Sequence, residues 1–138
     1  NCVAYDPAYG YEMAVIVHEG LDRMLRRRED VFYYLTMMNE NYAHPPMPDG
    51  ARDGILRGLY RLRDAQDPAA PRVQLLGSGS ILREVLAAAD LLRDEFGVHA
   101  DVWSAVTDAA PSAATCCTPA SRRAGVSSRS SSAGDPDP

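Results

Sequence analysis

The stretch Val73-Gln-Leu-Leu-Gly-Ser-Gly-Ser-Ile-Leu-Arg83 decides the fold, because a short apolar run passes through a glycine turn into a helical pattern. The run Val73–Leu76 is typical of a buried strand, and Gly77–Ser80 provides the tight turn. Apolar residues then recur at helical spacing over 81–96, and Gly97 follows as a stop signal. The next strand is predicted at 98–104. This order of strand, helix and strand predicts a parallel β-α-β unit.

The first 63 residues repeat this order. Residues 1–5 resemble the end of a strand, and residues 8–27 carry a helical pattern. The predicted core stripe of that helix consists of Met13, Val17, Leu21 and Met24, and it is widened by Ala14, Val15 and Leu25. A buried strand is predicted at 31–38, because this run is aromatic and β-branched at its start.

A proline-containing loop is predicted at 39–50, then a short turn and a strand near 59–62. Residues 63–72 contain Asp-Pro-Ala-Ala-Pro and are interpreted as a linker. The predicted fold class is therefore α/β, with two units that meet end to end.

Composition excludes several classes of protein. The formal net charge is −5, and the run Arg26-Arg27-Arg28 lies between acidic residues, so no basic surface for nucleic acid is predicted. No apolar run approaches the roughly 20 residues that a membrane span requires. Three cysteines, two of them adjacent, form neither a disulfide framework nor a zinc motif. Without a signal-peptide pattern, the expected location is the cytoplasm.

Several polar residues are candidates for function, each with a structural alternative. Gly77–Ser80 precedes a helix and suits either an anion site or a simple tight turn. Asn39–Tyr42 follows a predicted strand, where α/β proteins place their sites, although loop-shaping hydrogen bonds explain it equally. His18, a lone helical histidine, is interpreted as structural or solvent-facing, and His44 has no second His or Cys at metal-ligand spacing. Glu12 and Glu19 are interpreted as carboxylates on one surface helix.

Three stretches, in this order, resemble one family. They are Asn1-Cys-Val-Ala-Tyr-Asp-Pro-Ala-Tyr-Gly-Tyr-Glu12, then Met38-Asn-Glu-Asn-Tyr42 with Met47-Pro-Asp-Gly50, and finally Val73 to Arg83 followed by Asp101-Val-Trp-Ser104. Together they resemble the homodimeric, bacterial type of pyruvate dehydrogenase. The resemblance covers residues 1 to about 105 nearly without gaps. It implies a fragment of a transketolase-like fold.

The resemblance divides the chain into four parts. Residues 1–62 resemble the end of the middle, pyrimidine-binding domain, and residues 63–72 are the linker. Residues 73–105 resemble the opening β-α-β of the C-terminal domain, and residues 106–138 are expected to be a disordered tail. The absence of an initiator Met also leads us to expect a chain that starts within a longer protein.

The family decarboxylates pyruvate on thiamine diphosphate with Mg²⁺ and passes the acetyl unit to a lipoyl group of the dihydrolipoyl acyltransferase. By motif order, its catalytic, cofactor and metal residues lie upstream of Asn1. The resemblance therefore assigns no catalytic, cofactor-binding or metal-binding residue within 1–138. The expected fragment is inactive alone, binds no cofactor alone, and leaves Leu76, Leu82 and Leu92 facing absent partners. Transketolase is a weaker relative, since Asn39-Glu-Asn-Tyr42 matches pyruvate dehydrogenase better.

The tail departs from the family after Ser104. All basic residues of the chain are Arg, which indicates GC-rich coding DNA. One GC-rich set of codons for Ala105 to Pro119, read from its third base, gives Arg-Asp-Gly-Arg-Gly-Ala-Glu-Arg-Cys-Asp-Met-Leu-His-Pro, close to the expected family sequence. A deletion near Ala105 with a change of frame explains the tail. The alternative function is a non-catalytic binding module whose Ser/Arg-rich tail, with Ser127 to Ser132, contacts a partner.

Overall fold

The computed structural model describes residues 1–107. It confirms a mixed fold of helices and strands with two small sheets. The elements, in chain order, are β1 (Cys2–Tyr5), α1 (Gly10–Leu21) with a π-helical extension (Asp22–Arg26), β2 (Phe32–Leu35), α2 (Ala51–Arg57), β3 (Leu59–Arg63), β4 (Arg72–Gly77), α3 (Ile81–Phe96) and β5 (His99–Ala105). The expected disorder is wrong for the first two residues of the tail, because Val106 is fully buried and Thr107 donates a hydrogen bond to Ala4. From residue 108 onward, the expected disorder and frame change lie outside the described part.

The first sheet contains β1 and β2, which run parallel with Cys2 opposite Phe32 and Tyr5 opposite Leu35. Helix α1 connects the two strands, as the sequence predicts. Its π-helical extension ends in the charged run that was predicted to close the helix, and Arg26 and Arg27 pair there with Asp22.

The second sheet has the order β3-β5-β4. Strands β4 and β5 are parallel and joined by α3, which confirms the β-α-β unit predicted from the glycine turn. Strand β3 is antiparallel to β5. Residues 59–62, which the sequence analysis grouped with the first unit, are thus hydrogen-bonded within the second sheet.

The predicted core stripe of α1 is wrong at its centre. Val17 and Leu21 are 40% and 48% exposed, whereas Val15, at the edge of the predicted stripe, and Ile16, outside it, are buried. The helix is rotated toward a face that also contains Glu12 and Gly20, two residues that an apolar pattern does not select. Gly20 fits there because the ring of Tyr33 passes 3.4 Å from where a Cβ would stand.

Two further expectations need correction. Strand β2 is not buried on both faces, since Phe32 and Tyr34 are 58% and 60% exposed. The segment after residue 50 was expected to be a short turn, but it forms the helix α2. Gly58 (φ 92°) ends this helix in the left-handed conformation. Leu82 does not face an absent partner but is fully buried, while Leu76 is 48% exposed, as expected.

Two apolar clusters fill the interior. The first lies under α1 and α2 and contains Ile16, Ile55 and Val106. The second lies between α3 and the second sheet and contains Leu82, Ala89 and Val102. Val106 ties the two sheets together, because its carbonyl accepts from the Asp6 N–H at 2.9 Å and its N–H donates to the Gly58 carbonyl at 2.9 Å.

Candidate functional site: the joint between the two sheets

Glu12 lies where the two sheets meet and is completely buried. Its Oε2 accepts the backbone N–H groups of Ala8 and Tyr9 at 2.6 and 2.9 Å. Its Oε1 accepts the hydroxyl groups of Tyr60 in β3 and Ser104 in β5 at 2.6 and 2.7 Å. The carboxylate therefore binds the start of α1 and two strands of the second sheet at once.

Two tyrosines extend this network. The hydroxyl oxygens of Tyr11 and Tyr60 are 2.6 Å apart. Since the Tyr60 hydroxyl donates to Glu12, its oxygen accepts the hydroxyl hydrogen of Tyr11. Burial raises the pKa of Tyr11 to about 12. Burial, and then the nearby Glu12, also raises the pKa of Tyr60 above its ordinary value. Both phenols are protonated donors at neutral pH.

A shallow cavity of about 140 Å³ opens beside this network, at the carboxyl ends of β1 and β2. Parallel α/β sheets bind ligands at this edge. The His44 ring stacks on Tyr42 with centroids 4.7 Å apart, and its Nδ1 accepts the Gly10 N–H at 2.9 Å. The walls are mainly apolar and aromatic, with three methionines, Met13, Met37 and Met38.

The candidate segment Asn39–Tyr42 lies at this cavity, as its position after β2 suggests. Glu40 lines the cavity and pairs with Arg83 of α3 at 3.2 Å. The Tyr42 hydroxyl donates to the carbonyl of Ala8. Both contacts connect loops to neighbouring elements, so they favour the loop-shaping interpretation of this segment.

The remaining candidates lie apart from one another. Exposed His18 has its Nδ1 3.5 Å from the guanidinium of Arg52. The interpretation of Glu12 and Glu19 as surface carboxylates on one helix is wrong, because Glu12 is buried while Glu19 pairs with Arg27 outside.

The turn Gly77–Ser80 packs tightly against the first unit. The N–H of Gly79 (φ 44°) donates to the Asp6 carbonyl at 3.2 Å. A Cβ on Gly79 would stand 2.5 Å from the Asp6 carboxylate. A carboxylate beside the turn opposes a second anion, so this geometry favours the tight structural turn over an anion site.

Asp101 forms a second buried hub, which the sequence analysis missed. It is 3% exposed and accepts from the guanidinium of Arg72 at 2.8 Å, the amide of Gln74 at 2.6 Å and the N–H of Ala65 at 2.8 Å. Burial raises the pKa of Asp101, but the bonds from Ala65, Gln74 and Arg72 outweigh it and hold the pKa below its ordinary value. This hub fastens the linker to β4 and β5.

Sequence signals for both hubs exist in retrospect. Glu12 occupies the third position of α1, where a glutamate commonly binds backbone N–H groups ahead of the helix. Asp101 is the one charged residue in the predicted strand 98–104. Neither signal reveals the distant partners, Tyr60 and Ser104 for Glu12 and Arg72 for Asp101.

The network is suited to holding structure rather than to reacting. All of the Glu12 contacts are made to donors within the chain, and Asp101 is similarly enclosed. Within residues 1–107, no group of three or more His, Cys, Asp or Glu side chains is arranged to hold a metal ion. None of the helices in this range is long and apolar enough to cross a membrane.

Comparison with known proteins matches both units. Residues 1–45 match the pyruvate dehydrogenase E1 component middle domain, and residues 58–109 match the transketolase-like C-terminal domain. The chain is similar to pyruvate dehydrogenase E1 components of Pseudomonas aeruginosa (58% identical over 104 residues), Cupriavidus necator (56% over 104) and Escherichia coli (53% over 105).

Each of these matches covers 75% of this chain but 12% of the relative. The predicted resemblance is thereby confirmed, and the matched segment is a small part of a much longer protein. The two domain matches in this order, at these identities, show that the chain is similar to pyruvate dehydrogenase E1 components over a segment that spans the end of the middle domain and the start of the transketolase-like C-terminal domain.

Proposed function

We propose that this chain is a structural segment of a pyruvate dehydrogenase that is inactive by itself. The proposed parent is a cytoplasmic, homodimeric oxidoreductase. It decarboxylates pyruvate on thiamine diphosphate and transfers the acetyl unit to a lipoyl group of the dihydrolipoyl acyltransferase. The relatives are E1 components of pyruvate dehydrogenase, and the chain spans about 12% of their length.

The proposal rests on the hydrogen bonding at the joint between the two sheets, where the buried carboxylates are fully bonded within the chain. Glu12 and Asp101 are the buried carboxylates within residues 1–107, and both already bind donors of the chain itself. Their oxygens are thus committed to holding the two sheets, the linker and the strands in place. The segment supplies a rigid connection between domains, while the reaction belongs to other parts of the parent.

The residues described do not fit thiamine diphosphate with Mg²⁺. Mg²⁺ on a diphosphate needs one or two carboxylates with oxygens available to bind it, whereas the buried Glu12 and Asp101 already accept bonds from the chain and Glu40 at the cavity pairs with Arg83. The Gly77–Ser80 turn is occupied by its contact with Asp6. We therefore assign no step of the reaction to this chain.

The proposed domain boundaries follow the sequence interpretation, except that β3 is reassigned. Residues 1–62 derive from the middle domain, residues 63–72 form the linker, and residues 73–105 begin the C-terminal domain. The bonding of Arg72 and Ala65 to Asp101 supports a linker that is held against the second domain. The pairing of β3 with β5 and the match of residues 58–109 to the C-terminal domain support placing β3 with the second domain.

The isolated chain provides the test. Release of CO₂ from carboxyl-labelled pyruvate is measured with thiamine diphosphate, Mg²⁺ and an artificial electron acceptor. We expect no release above a blank without protein, and no heat of thiamine diphosphate binding in calorimetry. Saturable cofactor binding with turnover by the purified chain would contradict the proposal.

We also propose that residues 106–138 arise from a change of reading frame near Ala105. Residues 108–138 lie outside the described part, so the support is the recovered family-like sequence in the shifted frame and the all-Arg composition. Sequencing the coding DNA tests this. We expect the shifted frame to continue the C-terminal domain, and a stop codon or unrelated sequence there would refute it. The alternative binding module rests on the same residues and gains no support from residues 1–107.

A further inference from the structure

Glu12 has a feature that its position in a helix does not require. Its four hydrogen-bond donors come from three places in the chain, and the partners Tyr60 and Ser104 lie 48 and 92 residues away. We propose that Glu12 is a clamp whose single carboxylate sets how the first sheet docks on the second. This inference concerns the fold of the chain and does not depend on the proposed parent activity.

The charge of Glu12 supports a role in fixing how the two sheets dock rather than in raising the stability of the fold. All four donors that contact the carboxylate are neutral, being two backbone N–H groups and two hydroxyls. A buried carboxylate without a cation is expensive, and an apolar side chain of similar volume commonly stabilises a core better. Four donors satisfy the carboxylate only when α1, β3 and β5 are in one arrangement. Any other docking leaves a buried acceptor unpaired.

The surrounding contacts agree with one docked arrangement. The Asp6 N–H reaches the Val106 carbonyl at 2.9 Å, and the Thr107 hydroxyl donates to the Ala4 carbonyl at 2.8 Å. Each of these bonds crosses the joint at its margin, beside the end of β5. Glu12 lies inside this margin and is the one residue of the described chain that binds β3, β5 and the start of α1 together.

The clamp also reaches the cavity. Its Oε2 holds the N–H groups of Ala8 and Tyr9, and the Tyr9 ring contacts the rings of Tyr42 and His44 with centroids 6.2 and 6.0 Å apart. Loss of a donor in β5 is therefore expected to loosen the cavity wall formed by the first unit. This loosening would be transmitted through Glu12, so it requires no direct contact between β5 and the cavity wall.

Amide hydrogen exchange of the full chain, resolved by residue, tests the clamp. We compare Ser104→Ala and Tyr60→Phe, which each remove one hydroxyl, with Glu12→Gln and with Glu19→Gln. Glu19 is the matched control because it lies on the same helix, is half-buried and pairs with Arg27 rather than with the joint. Exchange at the Ala8 and Tyr9 amides should rise about tenfold in Glu12→Gln, the size expected for loss of one charged hydrogen bond. Ser104→Ala and Tyr60→Phe should raise it several-fold, and Glu19→Gln should leave it unchanged.

A double-mutant cycle distinguishes an effect through Glu12 from a general loosening of the fold. Ser104→Ala should add little in the Glu12→Gln background, because the two groups act through one contact. Additive effects would overturn the proposal, as would unchanged exchange at Ala8 and Tyr9 in both hydroxyl variants, or an equal rise at every amide. If Glu12→Gln does not fold, the double variant Ser104→Ala/Tyr60→Phe replaces it. Exchange at Ala8 and Tyr9 in that variant no faster than in Glu19→Gln would then overturn the proposal.

Discussion

Buried carboxylates carry the polar connections of this chain, and they differ in what surrounds them. Glu12 binds neutral donors, whereas Asp101 binds the guanidinium of Arg72 as well as the neutral donors Gln74 and Ala65. The residue types were visible in the sequence, but their roles were not. A pattern of apolar spacing identifies neighbours three or four positions apart, and these partners come from distant elements.

Asp101 leads to a prediction about pH. Asp101→Asn should lower the stability of the second sheet by about 2 kcal/mol at pH 7, since it removes the charged partner of a buried hydrogen-bond set. The folded pKa of Asp101 is lowered, so its contribution is fully present above the unfolded pKa of about 3.9 and is lost as the pH falls through the folded pKa. The difference between wild type and variant should thus be constant from pH 7 to 5 and shrink below pH 4.

Urea unfolding followed by the fluorescence of Trp103, the single tryptophan, measures this difference. Asp49→Asn, an identical change on an exposed loop, is the control and should have little effect at any pH. A difference between wild type and Asp101→Asn that grows as the pH falls would contradict the assignment.

At the scale of elements, the β-α-β unit around α3 was predictable to within a residue or two, and the helix α1 was predictable as an element, but its buried face was not. In α3 the apolar positions and the buried face coincide, because Leu82 and Ala89 pack directly on the second sheet. In α1 the face with Glu12 and Gly20 is buried instead. The polar joint and the close approach of Tyr33 decide the rotation of α1, and both depend on contacts that no local pattern encodes.

Glycine at the end of α2 gives a second prediction. Gly58 has φ 92°, and a Cβ there would stand 1.9 Å from the Thr107 methyl group. Gly58→Ala should therefore destabilise by more than the roughly 1 kcal/mol that a left-handed alanine costs. Gly97→Ala is the matched control, because Gly97 also has a positive φ but nothing within 4 Å.

Urea unfolding of the two alanine variants tests the comparison. Gly97→Ala should lose about 1 kcal/mol, and Gly58→Ala at least twice as much, since β5 must shift at its end. Equal losses would mean that Thr107 moves aside freely and that the turn between α2 and β3 is not tightly fitted.

At the scale of the whole molecule, the described part exposes several large apolar side chains on and near β2. Phe32 and Tyr34 of β2 are 58% and 60% exposed, and Leu25 and Met37 nearby in sequence are 72% and 78% exposed. Successive residues of a strand point to opposite faces, so Phe32 and Tyr34 share the exposed face of β2 while Tyr33 and Leu35 face inward. A surface of this kind is a site of association in an isolated segment.

Polar replacement of this face should improve solubility without loss of fold. Phe32→Thr with Tyr34→Thr should raise the soluble concentration of the chain and reduce binding of an apolar dye, because threonine suits an exposed strand position. Ile16→Thr, which places the same side chain in the fully buried core, should do the reverse. Equal aggregation of wild type and the double variant would show that other surfaces drive association.

The family was accessible from the sequence because three stretches in one order are more specific than any local pattern. The absence of reactive groups from the joint was less accessible, since it depends on which donors occupy Glu12 and Asp101. The pairing of β3 with the second sheet was likewise hidden, because a strand carries no local sign of its sheet.

A chimeric enzyme tests the central claim most directly. The matched 104 residues of this chain replace their counterpart in the Pseudomonas aeruginosa relative, which is 58% identical there. Pyruvate decarboxylation and acetyl transfer are then measured against the unaltered relative. If the segment is a structural connection of a pyruvate dehydrogenase, the chimera should keep activity within about tenfold of the relative, a loss of at most about 1.4 kcal/mol. A chimera that folds and binds thiamine diphosphate but does not decarboxylate pyruvate would contradict the account.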